Sequence, residues 1–198
     1  MSHRDAQVTI IVGKNGTGKS TFAQKAIKGM KRRAVIVTFD GMPKIWRPYP
    51  LIDPKDPEAW TWKKGIKQIR FDIYDDDTFK YIFRYARDMI VVFDDCKEYI
   101  RNNVDNQIYL KRLLSQFRHR MLDIFFIAHA PDDVPKRIWI YYSTAFIGAT
   151  DVLFDSRRLR VGSVDKLITA QQKVNAAFRA AKMKNNGSHY GLFEIVQP

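Results

Sequence analysis

Residues 7–21 read QVTIIVGKNGTGKST, and the reading of this stretch decides the rest. Its first six residues are mostly β-branched, a composition that favours a strand. Glycines at 13, 16 and 18 then interrupt it, and TFAQKAIKGM (21–30) carries Phe22, Ala26 and Ile27 at helical spacing. The predicted order is strand, glycine-rich loop, helix. Within it Gly13-Lys14-Asn15-Gly16-Thr17-Gly18-Lys19-Ser20 satisfies the pattern G-x-x-x-x-G-K-[ST] at every position. Glycines let successive backbone N–H groups curl around an anion, and the helix start adds the positive end of its dipole. Residues Gly13 to Thr21 are therefore the expected cradle for the phosphates of ATP, with Lys19 reaching the β- and γ-phosphates and the Ser20 hydroxyl on Mg2+. A chance glycine-rich turn has no reason to sit between a strand and a helix.

Working outward, apolar runs and helical patterns alternate. AVIVTF (34–39) is nearly all apolar, as a strand covered on both faces should be, and Asp40-Gly41 is expected to end it. Residues 41–65 show neither period but hold five of the eight prolines and Trp46, Trp60 and Trp62. They predict a long ordered excursion, serving as a cover over the sheet edge or as a pore or lid element. IKQIRFDI (66–73) alternates like a half-exposed strand, DDDT (75–78) can cap a helix bearing Phe79, Ile82, Phe83 and Ala86, and MIVVFDD (89–95) is a further strand. From Asp105 to Arg120 the residues Leu110, Leu113, Leu114, Phe117 and Met121 mark an amphipathic helix. DIFFIAHA (123–130), a Pro-started helix in PDDVPKRIWIYY (131–142), TAFIGAT (144–150), a long helix from Ser163 to Met183, an NNG turn and an edge strand in YGLFEIV complete the chain. Such alternation predicts an α/β fold with a mainly parallel sheet and helices on both faces.

An acidic residue at the tip of a buried parallel strand is the second requirement of phosphate chemistry, and MIVVFDD supplies Asp94 and Asp95. Asp94 is the expected magnesium partner of Ser20. Asp95 is the expected residue that polarises the attacking water, with Glu98 as a fallback; the alternative is that the pair caps the next helical turn. Strands 34–39 and 66–73 lie between loop and acidic strand in sequence, so at least one of them is expected to be inserted between the two in the sheet.

The order of loop, IVVFDD, amphipathic helix, FRHRMLDIFFIAH and AFIGATD resembles the FtsK-HerA superfamily of P-loop ATPases over residues 7–150. The viral genome-packaging branch and the zonula-occludens-toxin-like phage assembly ATPases are most similar. The resemblance implies a P-loop NTPase fold with an additional strand between the Walker A and Walker B strands. It also implies a homo-oligomeric ring that hydrolyses ATP to move DNA. His129 stands where the family has a polar sensor, usually Gln, beside the γ-phosphate. Arg118 or Arg120 stands where it has an arginine offered to the neighbouring subunit. Asp95 replaces the family's usual Glu. Read from the residues alone, the arginines are equally a solvated surface and His129 equally a core histidine.

Composition bounds the partners. The chain has 198 residues, 34 Lys plus Arg against 21 Asp plus Glu, and a net charge of +13, which favours a polyanionic partner. DNA backbone contacts are expected from Lys63, Lys64 and Lys67 beside Trp60 and Trp62, from Arg157, Arg158 and Arg160, and from Lys173, Arg179, Lys182 and Lys184, each of which could instead be a solvated face. Cys96 is the only cysteine, so no intramolecular disulfide forms, and no run approaches the roughly 20 apolar residues of a membrane-spanning helix. One domain over 1–198, with a strand and tail at 184–198, is expected in the cytoplasm, or in the host cytoplasm or virion if the source is viral. A capsid vertex or portal protein is then a further partner. Rival expectations are a phage assembly ATPase and a nucleoside kinase, for which DSRRLRVGS (155–163) would be the lid.

Overall fold

The structure is a computed structural model describing residues 5–39, 44–72, 77–159, 161–184 and 190–198. Asp40, Gly41, Pro43, Ile73, Asp75, Asp76, Arg160 and the NNG turn, all used in the sequence reading, lie outside the described residues.

Strands β1 (Val8–Val12), β2 (Arg33–Thr38), β3 (Gly65–Arg70), β4 (Ile90–Phe93), β5 (Asp123–Ala128), β6 (Thr144–Gly148) and β7 (Phe193–Val196) form one sheet in the order β3-β2-β4-β5-β1-β6-β7. Every pairing is parallel except β6 with β7, so the C-terminal strand lies at the edge as expected and is antiparallel to its neighbour. The helices are α1 (Lys19–Met30), α2 (Asp77–Tyr85), α3 (Ile108–Gln116), α4 (Lys136–Trp139) and α5 (Val164–Met183).

An additional strand does separate the phosphate-loop strand β1 from the acidic strand β4, but it is β5, not 34–39 or 66–73. Burial disqualifies only 66–73 from a central place, since β2 is buried almost as fully as β5. All six residues of β5 are buried, as a strand with a neighbour on each side and helices over both faces requires, whereas β3 buries only Gln68 and Ile69 and takes the edge. The sheet's two faces carry separate cores. Ile11, Ile36, Val92 and Ile127 pack with Ala23 and Ile27 of α1 and with Trp46. Residues of opposite parity, among them Ile10, Val35, Val91 and Phe126, pack with α2, α3 and α5.

Two element boundaries differ from expectation. The helix predicted from Asp105 starts as a 3-10 turn at Val104–Asn106 and is helical only over Ile108–Gln116, and Met121 is exposed with φ 56° instead of continuing the apolar face. Pro135 splits 131–142 into a 3-10 turn at Pro131–Asp133 and the single turn of α4, because its ring and missing N–H cannot continue a helix. The 44–62 excursion is ordered around Trp46, wholly buried, and Trp60, with Leu51 bridging to Gln68 beside β3.

Candidate functional site

Parallel strands deliver their carboxyl ends to one rim of the sheet, and the sequence motifs meet there. The phosphate loop is tied to that rim from both sides: the Gly13 N–H donates to Ala128 O (3.2 Å) at the end of β5, and the Lys14 N–H to Ala149 O (2.7 Å) just after β6. Buried Thr17 turns its hydroxyl back onto Lys14 O at 2.8 Å. A Cβ on Gly13 would stand 2.8 Å from that hydroxyl and 3.2 Å from Gly148 Cα, so only glycine fits the close approach. Gly18, at φ 88°, feeds the first turn of α1 from a left-handed conformation that costs glycine little.

Lys19, 6% exposed, bends its ammonium back to Lys14 O (3.2 Å) and His129 Nδ1 (3.1 Å). Burial pulls its pKa below the ordinary lysine value, opposed by the charges of Asp95, Asp94 and Asp133. An ammonium can only donate, so His129 Nδ1 accepts and Nε2 carries the proton. That Nε2 lies 2.8 Å from Asp95 Oδ1. Lys19, His129 and Asp95 thus form one chain of hydrogen bonds along the rim. Asp95 sits at φ 49° ahead of the 3-10 turn Cys96–Glu98, yet its side chain makes no capping bond there and turns to His129 instead. Glu98 is exposed and does not line the cleft.

Behind this chain lies Asp94, 2% exposed, with both carboxylate oxygens 3.3 Å from Ser20 Oγ. Trp46 donates its indole N–H to the same carboxylate. Burial raises the Asp94 pKa to about 6 and Asp95 adds to the rise, while the bonds from Trp46 and Ser20 and the charge of Lys19 oppose it. A hydroxyl and a carboxylate converging on one point are hard oxygen donors of the kind magnesium takes together with a nucleotide's phosphates, so the residues fit that ion. Together the loop, the first turn of α1, Asp95, His129 and Tyr190 line a cleft of about 240 Å³.

The predicted arginines separate. Arg120 is 8% exposed, with its guanidinium 4.1 Å over the Phe83 ring and Nη1 donating to Ala86 O at 3.2 Å. Its inward fixing corrects the expectation that it can reach a neighbouring copy. Arg118 is exposed and leans on Phe117. Both precede β5, whose six residues place them about 20 Å from the cleft, at the opposite rim of the sheet. Of the expected DNA contacts, Lys63, Lys64, Arg179, Lys182 and Lys184 are exposed. Lys67 lies over Trp62 at 4.6 Å, Arg157 and Arg158 pair with Asp155 and Asp132, and Lys173 pairs with Glu194.

Three residues of the site had no sequence signal: Trp46, 48 positions from Asp94; Asp151, whose carboxylate holds Lys14 Nζ at 3.0 Å; and Tyr190, whose hydroxyl is 2.9 Å from Thr21 Oγ1, 169 positions away. No motif spans such separations.

Fold and rim together define an α/β P-loop NTPase architecture. The chain is similar to the genome packaging NTPase B204 from Sulfolobus turreted icosahedral virus 2, solved in complex with AMPPCP, at TM-score 0.66 and 14% identity over 85% of this chain and 86% of that one. It is likewise similar to the same protein in complex with ATP-gammaS, at TM-score 0.63 and 16% identity over 88% of each chain. B204 of Sulfolobus Turreted Icosahedral Virus, a DNA-packaging ATPase, matches at TM-score 0.62 and 12% identity over 98% of this chain and 99% of that one. No protein-family profile and no curated protein matches the sequence. Among the described residues no helix is long and apolar enough to cross a membrane.

Proposed function

We propose that the chain is an ATP-hydrolysing, DNA-translocating motor of the viral genome-packaging kind, acting as a ring of copies. The observation that carries the reading is the assembly of Lys19, His129 and Asp95 in one cleft with Ser20 and Asp94 behind them. Loop N–H groups and Lys19 bind the β- and γ-phosphates of ATP. Asp95 holds the attacking water and accepts its proton, and His129 fixes the orientation of that carboxylate through Nε2–H. Ser20 and Asp94 are the residues that would hold magnesium, which when bound neutralises phosphate charge.

Arg118 suits a role in trans. It is exposed and lies at the rim opposite its own cleft, so it can serve only a cleft on another copy, where it would stabilise the charge developing on the γ-phosphate. A neighbouring copy follows from that requirement, and a ring supplies one to every cleft. Exposed Lys63, Lys64, Arg179, Lys182 and Lys184 are the residues for DNA backbone contacts, which translocation along any sequence needs more than base contacts. A capsid vertex or portal is the docking partner such a motor works against. The nucleoside-kinase reading is weakened because Arg157 and Arg158 pair with Asp155 and Asp132 and neither lines the phosphate cleft.

The test is ATP turnover and oligomeric mass measured together, with and without DNA, for the intact chain and for Lys19→Ala. DNA is expected to stimulate turnover and Lys19→Ala to abolish it. Turnover indifferent to every DNA would remove the translocase reading, and phosphate transfer to a nucleoside would replace it with the kinase.

A further inference from the structure

Nucleotide chemistry in the cleft described above occupies one end of it, and the other end has an aromatic residue with no role so far. Asp95 and His129 stand at the Lys19 end. At the other end Tyr190 lies against the start of α1: a Cβ built on Gly18 would meet its ring carbons at 2.9–3.3 Å, and its hydroxyl is 2.9 Å from Thr21 Oγ1. The neighbouring Gly191 N–H donates to Thr17 O at 3.0 Å, so the backbone beside Tyr190 is tied to the phosphate loop itself. Tyr190 is nevertheless 55% exposed, with its ring carbons against Gly18.

A triphosphate lying in this cleft is polarised. Its γ end belongs at Lys19, Asp95 and His129, so its nucleoside end leaves past Gly18 and Thr21, toward Tyr190. Among the described residues lining the cleft the aromatic rings are His129, which is bonded to Lys19 and Asp95 at the γ-phosphate end, and Tyr190 at the other end. Aromatic side chains bind nucleobases through their faces, and the stacking energy is insensitive to which base is present.

We propose that the ring of Tyr190 is the platform on which the nucleobase of ATP stacks, which rests on the nucleotide reading of the cleft. The role follows from β7 being the antiparallel partner of β6, which returns the chain to the phosphate loop and sets Tyr190 over Gly18. Recognition of this kind reads the face of the base and not its edge, so affinity is contributed without strict choice between adenine and guanine.

Calorimetric titration of the full chain with magnesium-ATP and, separately, with inorganic tripolyphosphate tests it, because the second ligand has phosphates and no base. Tyr190→Ala is expected to weaken ATP binding about tenfold, the scale of one lost base stack, and to leave tripolyphosphate binding as in the wild type. Tyr190→Phe, which keeps the ring and removes the bond to Thr21, is expected to restore ATP binding. ATP affinity unchanged in Tyr190→Ala overturns the platform, as does an equal loss for both ligands, which would make Tyr190 a support of the loop. A wild-type chain that binds neither ligand overturns the nucleotide reading itself and the platform with it.

Discussion

Trp46 donates its indole N–H to the Asp94 carboxylate, joining the irregular segment between β2 and β3 to the tip of the acidic strand. The indole is wholly buried among Ile36, Val92 and Ile127, so it is both a core side chain and the group that fixes the direction of a carboxylate. Trp46→Phe keeps most of the apolar volume and removes only the donor. A hydrogen bond to a charged group is worth about 1.5–3 kcal/mol, and losing it is expected to lower urea-unfolding stability by that order. Nucleotide binding in Trp46→Phe should also need more magnesium than in the wild type, which a magnesium titration at fixed ATP reads directly. Unchanged magnesium dependence would reduce Trp46 to packing.

The raised pKa of Asp94 makes stability depend on pH in a definite sense. Its folded value of about 6 lies above the ordinary 3.8, so between those values the folded chain binds more protons than the unfolded one. In the nucleotide-free protein this group's contribution to stability is therefore fully present below about pH 4 and falls as pH rises through 6. Asp94→Asn removes the buried charge and is expected to raise stability at pH 7.5 by up to about 3 kcal/mol, the equivalent of two pKa units. The same change should abolish magnesium-dependent turnover. Thermal unfolding of both proteins at pH 5 and pH 7.5 decides it, since the gap must narrow at the lower pH.

How much of this was legible in the sequence depended on range. The phosphate loop, the tip of β4 and the residue after β5 could be read because each is a local pattern on one element: glycine spacing, an apolar run ending in Asp94-Asp95, and an apolar run ending in His129. Strand order could not be read that way. β2, β4 and β5 are all apolar runs, and nothing in their periodicity says which one lies beside β1; the half-exposed pattern of β3 marks an edge, but does not say of what. Helix ends were also blurred, because the spacing that places Phe117 on an apolar face extends to Met121, where the chain has already turned through a left-handed residue. Trp46 and Tyr190 were invisible as site residues since one comes from a segment without periodicity, the other from the start of the expected edge strand at the far end of the chain, and both meet their partners only through the fold.

His129 bridges Lys19 and Asp95, accepting from one and donating to the other. Glutamine can repeat both bonds, its amide oxygen accepting and its NH₂ donating, whereas alanine breaks the chain. His129→Ala is expected to lower kcat by about 10²-fold or more, within the range for a misplaced general base, with ATP affinity little changed. His129→Gln should retain most of the turnover. Equal loss in both variants would mean that the imidazole itself takes part in proton transfer, and steady-state kinetics on the two proteins separates the cases.

Arg118 and Arg120 are two positions apart, but the fold gives them unlike tasks, and the contrast tests the ring. Arg120 covers the Phe83 ring and bonds Ala86 O between α2 and β4, so Arg120→Ala exposes a buried carbonyl and removes a cation–π contact. A loss of about 1–3 kcal/mol in unfolding stability is expected, with ATP binding kept at temperatures where the variant is folded. Arg118 is exposed, and its truncation should leave unfolding within about 0.5 kcal/mol of the wild type, as surface substitutions do. If it completes the cleft of a neighbour, Arg118→Ala instead loses at least about 10³-fold in turnover while binding ATP normally. Mixing settles whose cleft it serves: Arg118→Ala chains, with intact Lys19 and Asp95, should regain turnover when assembled with Lys19→Ala chains, whose own Arg118 is present. No recovery in mixed assemblies, alongside full activity in wild-type ones, would remove the arginine from the chemistry.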